Sequence, residues 1–418
     1  MCPARLNILY VTFGLPYPPD SGARIHDFNI IKQAALEHNV LLVSQLEFPE
    51  EARHLPDLEP YCDFVDVVAP LSPSPWRQIG AAVRGMSVGR PPACAPFFND
   101  ELVSKIRQVV TNRAVDILQI EHSVLAPHVV GIPPGHRCKR ILSFQNLAVA
   151  QYRTMLQMQT SPMERLLFLV KWLAMLRWEA RYAKKFDHCL VVSPTELEQL
   201  QASNPGLSVS LIENGVDTTR FQRLPEADQG NDLLFVGTMG YRPNADAVLY
   251  FHEKILPLIK RRVPDARLVI VGNTQGAKLE RLSAASDVIL TGKVPDVIPC
   301  YGRSRIAIAP LRAGGGTRLK ILEAMALGRP VVTTALGCDG LEVEDGRHVM
   351  IADRPEEFAE RVVRLLTDRA LGDGLTRRAR ALVESRYEWS VIGRKLMHVY
   401  GNLTEAGKPA LPVSGGIR

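Results

Sequence analysis

Short, unbroken apolar runs recur along this chain, and each ends at a glycine, a proline or a polar pair. The first, Asn7–Phe13 (NILYVTF), shows no alternation of apolar and polar positions. That pattern predicts a parallel strand buried on both faces. Similar runs predict strands at 40–44, 64–69, 116–121, 140–144, 189–192 and 209–212. Between them, helical spacing predicts helices over 24–36, 99–112 with Asn99 as cap, and 161–186, with another opened by Ser193-Pro194. A polar stretch at 225–231 follows, and the same order then starts again. Strands are predicted at 232–236, 267–271, 288–291 and 306–309, with helices running to 261 and over 355–366 and 371–385. A last helix starts near Tyr387-Glu388-Trp389-Ser390 and runs towards Tyr400. Strands alternating with helices give an α/β class, and the restart gives two doubly wound domains. The turns at the strands' carboxyl ends are the places where such sheets bind ligands.

One of those turns organises the rest. Residues 306–334 read IAIAPLRAGGGTRLKILEAMALGRPVVTT: strand, glycine turn, helix, strand. Gly314, Gly315 and Gly316 let the backbone come close to a ligand, and Thr317 is placed to cap the helix after them. Leu319, Ile321, Leu322, Met325 and Ala326 give that helix an apolar stripe, and Gly328 stops it. A helix start with free amides favours an anion, and Arg318 and Lys320 add positive charge beside it. Glu323 lies one to two turns in, where a carboxylate can accept hydrogen bonds from sugar hydroxyls. The alternative is a tight connection with solvated cations. Three glycines, two cations and an acid at this spacing favour the ligand.

Other carboxyl-end turns supply further candidates. The strand at 116–121 ends in Glu121-His122, the strand at 140–144 in Gln145-Asn146, and the strand at 288–291 in Gly292-Lys293-Val294. His122 is either structural or a hydrogen-bond acceptor for a substrate hydroxyl near neutral pH, and Glu121 competes for that role. The 161–186 segment interleaves Trp172, Trp178 and Tyr182 with Lys171, Arg177, Arg181, Lys184 and Lys185, and Ser161 with Glu164 forms a capping box. Such a helix either lies on an anionic membrane or packs inside with a solvated basic face; the second is the expectation.

Totals narrow the class. Of 418 residues, 46% are hydrophobic, and mean hydropathy is −0.01, as for a packed globular protein. Fifty basic and forty-four acidic residues give +6, suited to an anionic substrate or an acidic membrane surface but too dispersed for nucleic acid. Seven scattered cysteines without Cys-x-x-Cys point to reduced thiols in a cytoplasmic protein, at most at the inner face of a membrane. No leader sequence is expected before the first strand, and the apolar stretch 166–178 is interrupted by Lys171 and Arg177. No Asp-x-Asp is present, and no metal or cofactor is expected.

The GGGTRLKILEAMA stretch resembles the donor site of the retaining glycosyltransferases of family 4, and is most similar to sugar transferases of bacterial exopolysaccharide and exosortase systems. The family carries Glu, seven residues, then Glu; here Glu323 is the second and Gly315 stands at the first. The resemblance implies the GT-B fold: residues 1–225 bind the acceptor, 226–386 the nucleotide sugar, 387–405 cross back to the first domain, and 406–418 are a tail. It implies transfer of a sugar from a nucleoside diphosphate sugar to a hydroxyl of a glycan, lipid-linked or small-molecule acceptor, with retention. Under it Ser21-Gly22 lies across the cleft from the donor diphosphate, with Arg24 nearby, and Gly292-Lys293-Val294 meets the base through main-chain atoms. Amides around Gly315 to Thr317 hold the diphosphate. The family's Arg and Lys after the domain's first strand are missing here, and Arg242, Arg318 and Lys320 are the cations that can stand in. The family's His-Asn pair appears as Gln145-Asn146, and Glu213 replaces a proline before Asn214-Gly215-Val216-Asp217. A catalytically silent nucleotide-sugar binder and an NAD-dependent dehydrogenase are the rival readings. The second lacks Gly-x-Gly-x-x-Gly after the first strand.

Overall fold

A computed structural model describes residues 5–70, 94, 97–158, 161–225, 230–275, 279–315 and 318–405. Two all-parallel sheets carry the fold. The first has seven strands, β1 (Asn7–Phe13), β2 (Asn39–Gln45), β3 (Phe64–Val68), β4 (Ile117–Glu121), β5 (Lys139–Phe144), β6 (His188–Val191) and β7 (Val209–Leu211), in the order β3-β2-β1-β4-β5-β6-β7. The second has six, β8 (Asp232–Val236), β9 (Arg267–Val271), β10 (Val288–Gly292), β11 (Ile306–Ala309), β12 (Val331–Thr333) and β13 (Met350–Ile351), in the order β10-β9-β8-β11-β12-β13. The chain order reverses between β1 and β4 in the first sheet and between β8 and β11 in the second. A doubly wound sheet opens its ligand crevice at that switch point, outside the strands' carboxyl ends.

The apolar runs are strands because both faces are covered. Ile8 through Val11 are wholly buried, with Ile8 and Tyr10 in one layer of core and Leu9 and Val11 in the other. Helices α1 (Gly22–Ala35), α2 (Asp100–Asn112), α3 (Ala148–Met158), α4 (Pro162–Ala183) and α5 (Pro194–Ser203) cover the first sheet. Helices α6 (Arg242–Tyr250), α7 (Leu256–Lys260), α8 (Glu280–Ser283), α9 (Ile298–Arg303), α10 (Leu319–Ala326), α11 (Pro355–Thr367) and α12 (Arg369–Leu382) cover the second. Two expected caps form: Glu101 N donates to the Asn99 side chain at 2.9 Å, and Ser193 accepts from Glu196 N. The helix expected to run unbroken to 261 contains a π turn, Phe251–Ile255, just before Pro257. Proline has no N–H to give to the turn before it, and the widened turn absorbs that loss.

The last helix, α13 (Trp389–Glu405), leaves the second domain and packs on α1 and the first sheet. Trp389, Ile392, Leu396 and Tyr400 lie in the core layer that holds Ile8, Tyr10 and Ile30. Tyr400 Oη stands 2.7 Å from Tyr10 Oη and donates to Gln119 Oε1 at 2.6 Å. A Cβ at Gly215 would stand 2.8 Å from both Trp389 Cδ2 and Tyr387 O. Gly215→Ala should therefore cost about 1–3 kcal/mol by overpacking this joint. A urea midpoint equal to that of the wild type would show that the joint yields.

Two expectations about 161–186 need correction. Ser161 makes no side-chain cap bond, so the capping box does not form, although Pro162 does sit at the start. The helix is interior only over its second half, where Met175, Trp178, Tyr182 and Ala183 are buried. In its first half Met163, Leu166, Leu167, Val170 and Leu173 are exposed, at 80%, 60%, 51%, 57% and 41%. Helical spacing cannot tell an apolar face turned to core from one turned to solvent. Helix α3, not foreseen from the sequence, provides the wall on which α4 packs.

Candidate functional site

The second sheet's switch point is lined by two turns. After β8 comes Gly237-Thr238-Met239-Gly240, and after β11 comes the glycine loop that leads into α10. Lys320 joins them. Its Nζ is 2.9 Å from Asn244 Oδ1, 3.9 Å from the centre of the Phe235 ring, and 2.9 Å from where a Cβ on Gly237 would stand. Gly237 is thus glycine because the ammonium and the Asn244 amide occupy the space a side chain would need. Burial, and next the charge of Arg318, push the Lys320 ammonium down to about 7, against the pull of Glu323.

Glu323 lies one turn further along α10, half-buried. Tyr301 Oη donates to the Lys320 carbonyl at 3.0 Å and stands 3.4 Å from Glu323 Oε2. Burial raises the Glu323 carboxyl to about 7; Tyr301, Arg220 and Lys320 oppose the shift. Arg318 is buried, and its Nη1 donates to the Gly315 carbonyl at 2.6 Å, closing the glycine loop on itself. Burial lowers its pKa. Gly314, at φ +109°, takes a backbone conformation that suits glycine, and a Cβ there would stand 3.0 Å from Tyr241 Oη. Gly316 and Thr317 lie outside the described residues, and the position before α10 is held by Arg318, which makes no side-chain cap. Arg242 opens α6 and is exposed; the cation at the glycine turn is Lys320. Val294 follows β10 and is half-buried among the apolar residues beside Ile298.

Across the cleft stands the first sheet's switch point. The chain leaves β4 through His122, the one residue other than glycine with a positive φ (+72°) among the described residues. A non-glycine residue held there by its surroundings often marks a site. Its N–H donates to Ser143 O at 3.0 Å, and its Nε2 stands 3.7 Å from Asp27 Oδ2. Burial alone would lower the His122 pKa, but the bond to Asp27 and the charges of Asp27 and Glu121 raise it. Asp27 is buried on α1 and is also held by Gln145 Nε2.

Glu121 does not reach the cleft, contrary to the expectation that it competes with His122. It is wholly buried, accepts from Gln119 Nε2 at 2.6 Å, and has His26 Nε2 at 3.9 Å and Gln145 Nε2 at 3.5 Å. Consecutive strand residues point to opposite faces, so the turn can offer only one of the pair. Arg24 is likewise committed, to Glu47 at 3.2 Å and to Glu51.

The two switch points meet. A Cβ on Gly22 would stand 3.8 Å from Leu319 Cδ1 of α10, and one on Gly315 would stand 3.7 Å from Asn146 Oδ1. Lys293 Nζ reaches Asp20 Oδ2 at 2.6 Å, and Thr195 donates to Asp339 at 3.0 Å, spanning the same cleft. Asn146 Oδ1 and Arg318 Nε are buried without a hydrogen-bond partner. Two orphaned polar atoms, one on each side of the glycine loop, suit a polar ligand between the domains. Among the described residues no group of three His, Cys, Asp or Glu could hold a metal. Sequence reasoning missed Asp27, His26 and the part Gln145 plays, because their contacts join α1 to β4 and β5 across more than ninety positions, as in the 118 separating Gln145 from Asp27.

Comparison with known proteins agrees with this geometry. Residues 230–368 match the family described as "Glycosyl transferases group 1". The chain is 22% identical over 273 residues to an uncharacterized 44.6 kDa protein of the cps region of Klebsiella pneumoniae, covering 62% of this chain and 68% of that protein. It is 29% identical over 206 residues to phosphatidyl-myo-inositol mannosyltransferase of Mycolicibacterium smegmatis, 47% of this chain and 52% of the relative, so the match spans about half that enzyme. Among solved structures it is similar to sucrose-phosphate synthase of Thermosynechococcus elongatus, with TM-score 0.73 at 17% identity over 96% of this chain and 100% of that one. It is also similar to Anabaena Alr3699/HepE in complex with UDP and glucose, with TM-score 0.68 at 15% identity over 95% of this chain and 100% of that one. The fold is GT-B.

Proposed function

We propose that this protein is a retaining glycosyltransferase that moves a sugar from a nucleoside diphosphate sugar to a hydroxyl of a glycan, lipid-linked or small-molecule acceptor, in polysaccharide or glycoconjugate synthesis. The observation that carries the reading is the meeting of the two switch points, with Lys320 and Glu323 on one side and His122 on the other. The family match over 230–368 and the solved GT-B structure holding UDP and glucose support it. The mannosyltransferase relatives support a sugar as the group transferred.

The donor lies along the second domain's carboxyl edge. The Gly292–Val294 turn takes the base through main-chain atoms. Glu323 accepts from the ribose hydroxyls. The Gly237 turn, the glycine loop and Lys320 hold the diphosphate, with Arg318 keeping the loop closed. As the bond between the sugar and the diphosphate breaks, negative charge builds on the leaving phosphate beside Lys320, and a preorganised cation there stabilises the transition state. The acceptor enters from the first domain, where His122 accepts a hydrogen bond from the attacking hydroxyl.

A thermal-shift series with UDP-, GDP- and ADP-sugars, followed by donor turnover, tests this. One nucleotide sugar should raise Tm and be consumed, and Glu323→Gln should raise its KM about tenfold, because the hydrogen bonds lose their charged acceptor. Absence of any shift and any turnover across the series would overturn the reading.

A further inference from the structure

The first half of α4 is the largest exposed apolar feature among the described residues, and the site does not use it. Met163, Leu166, Leu167, Val170 and Leu173 follow i, i+3, i+4 spacing and form one stripe. The same stripe continues into the second half of the helix as Arg177 and Arg181, and Lys184 follows at its end; all three are exposed. Its cationic half carries no acid: Glu179 is buried, and the exposed Glu164 flanks the apolar end, one position after Met163.

The hairpin's position relates this stripe to the cleft. Helix α3 starts just after Asn146, at the carboxyl edge of the sheet. Its first amides are fixed by buried acids: Leu147 N donates to Glu196 Oε1 at 3.0 Å, Ala148 N to Glu179 Oε1 at 2.9 Å, and Val149 N to Glu179 Oε2 at 3.2 Å. Glu179 of α4 is therefore level with the mouth of the cleft. The sixteen helical steps from Glu179 back to Met163 carry the far end of the apolar stripe beyond that edge, by on the order of 20 Å at the helical rise.

We propose that this stripe is a membrane-docking surface that beds in the headgroup and acyl boundary of an anionic bilayer. Its occupant follows from charge. A helix face that is apolar at the overhanging end and purely cationic behind it matches a lipid surface, with acyl chains below and phosphates above. A second protein copy would have to set its own cations against these. No described helix is long and apolar enough to cross a membrane, so the contact is peripheral. A bilayer held there lies beside the cleft that opens at Asn146 and His122, where a lipid-borne hydroxyl could enter. That last step rests on the glycosyltransferase reading; bilayer binding does not.

Vesicle flotation of the full chain tests the surface without reference to turnover. The wild type should float with vesicles of phosphatidylcholine and phosphatidylglycerol and bind phosphatidylcholine alone far more weakly. Leu166→Glu with Val170→Glu should weaken binding to the anionic vesicles about tenfold or more, and so should Arg177→Glu with Arg181→Glu. Both pairs are exposed, and circular dichroism with nucleoside diphosphate affinity confirms that the folded site is kept. Wild-type protein that stays with the unbound fraction at about 0.1 M salt overturns the proposal. So does an apolar variant that floats as the wild type does. A wild-type dimer by sedimentation velocity that Leu166→Glu with Val170→Glu converts to monomer, with no vesicle binding, would assign the face to a second copy.

Discussion

Lys320→Met should lower kcat with the preferred nucleotide sugar by about 10²–10³, the usual effect of removing one preorganised group that faces developing charge. The side chain is placed for this. Its Nζ is held by Asn244 Oδ1 at 2.9 Å over the Phe235 ring, beside a glycine turn with no room for another group. Methionine keeps the bulk and the ring contact and removes the charge. Arginine should not rescue it, because a fork of five donors does not fit where one ammonium fits against Gly237. The nucleoside diphosphate should also bind more weakly, while the bare nucleoside changes little. The pH dependence gives a second reading. Burial brings the free ammonium to about 7, so above that value an increasing share of the protein must take up a proton to bind the diphosphate. Affinity should then fall by up to about tenfold per pH unit on the alkaline side, and Lys320→Met should flatten that limb. Calorimetric titration between pH 6.5 and 8.5 in buffers of different ionisation heat measures both. A folded variant with wild-type diphosphate affinity and an unchanged pH profile would move the diphosphate away from Lys320.

The sequence made the sheets legible because a parallel strand buried on both faces leaves an unbroken apolar run. Ile306–Ala309 and Arg267–Val271 are read to the residue for that reason. Sequence placed Lys320 near an anion as one of three candidate cations, and only the fold separates it from Arg242, since the choice depends on which side of α10 faces the Gly237 turn. Glu121 and His122 illustrate the opposite limit. They are neighbours in sequence, yet the pleat of β4 buries one, while the other follows the strand at a positive φ and stays partly exposed. Asp27 leaves no local trace at all. It is one acid in a mixed helix, and its importance comes from β4 and β5 arriving beneath it. The exposed stripe of α4 was hidden for another reason: burial and exposure produce the same 3.6-residue period.

His122→Ala should lower kcat by about 10²–10⁴ with little change in nucleotide affinity, as expected for loss of a group that assists proton transfer. The backbone complicates that substitution, because His122 sits at φ +72° and alanine keeps the same penalty. His122→Gly separates the two effects. Glycine relieves the backbone, so stability should hold or rise, while kcat should fall as far as in the alanine variant. Asp27 acts through His122 and is a positioning residue. Its carboxylate, with the charge of Glu121, outweighs burial and raises the imidazole above its ordinary value of 6.5. In the role proposed here the neutral imidazole accepts the acceptor's proton, so kcat should rise with pH through that raised value. Asp27→Asn keeps the shape of the side chain and a contact to the ring but removes the charge. It should shift the acidic limb of the kcat profile to lower pH and reduce the plateau, with donor KM unchanged. A merely structural Asp27 would lower stability and leave the limb in place. The pH profile of kcat for wild type, His122→Gly and Asp27→Asn decides between these outcomes. A His122→Gly enzyme with full kcat would leave the positive-φ turn as a device of the fold, and the acceptor's proton would have to pass to the departing phosphate itself.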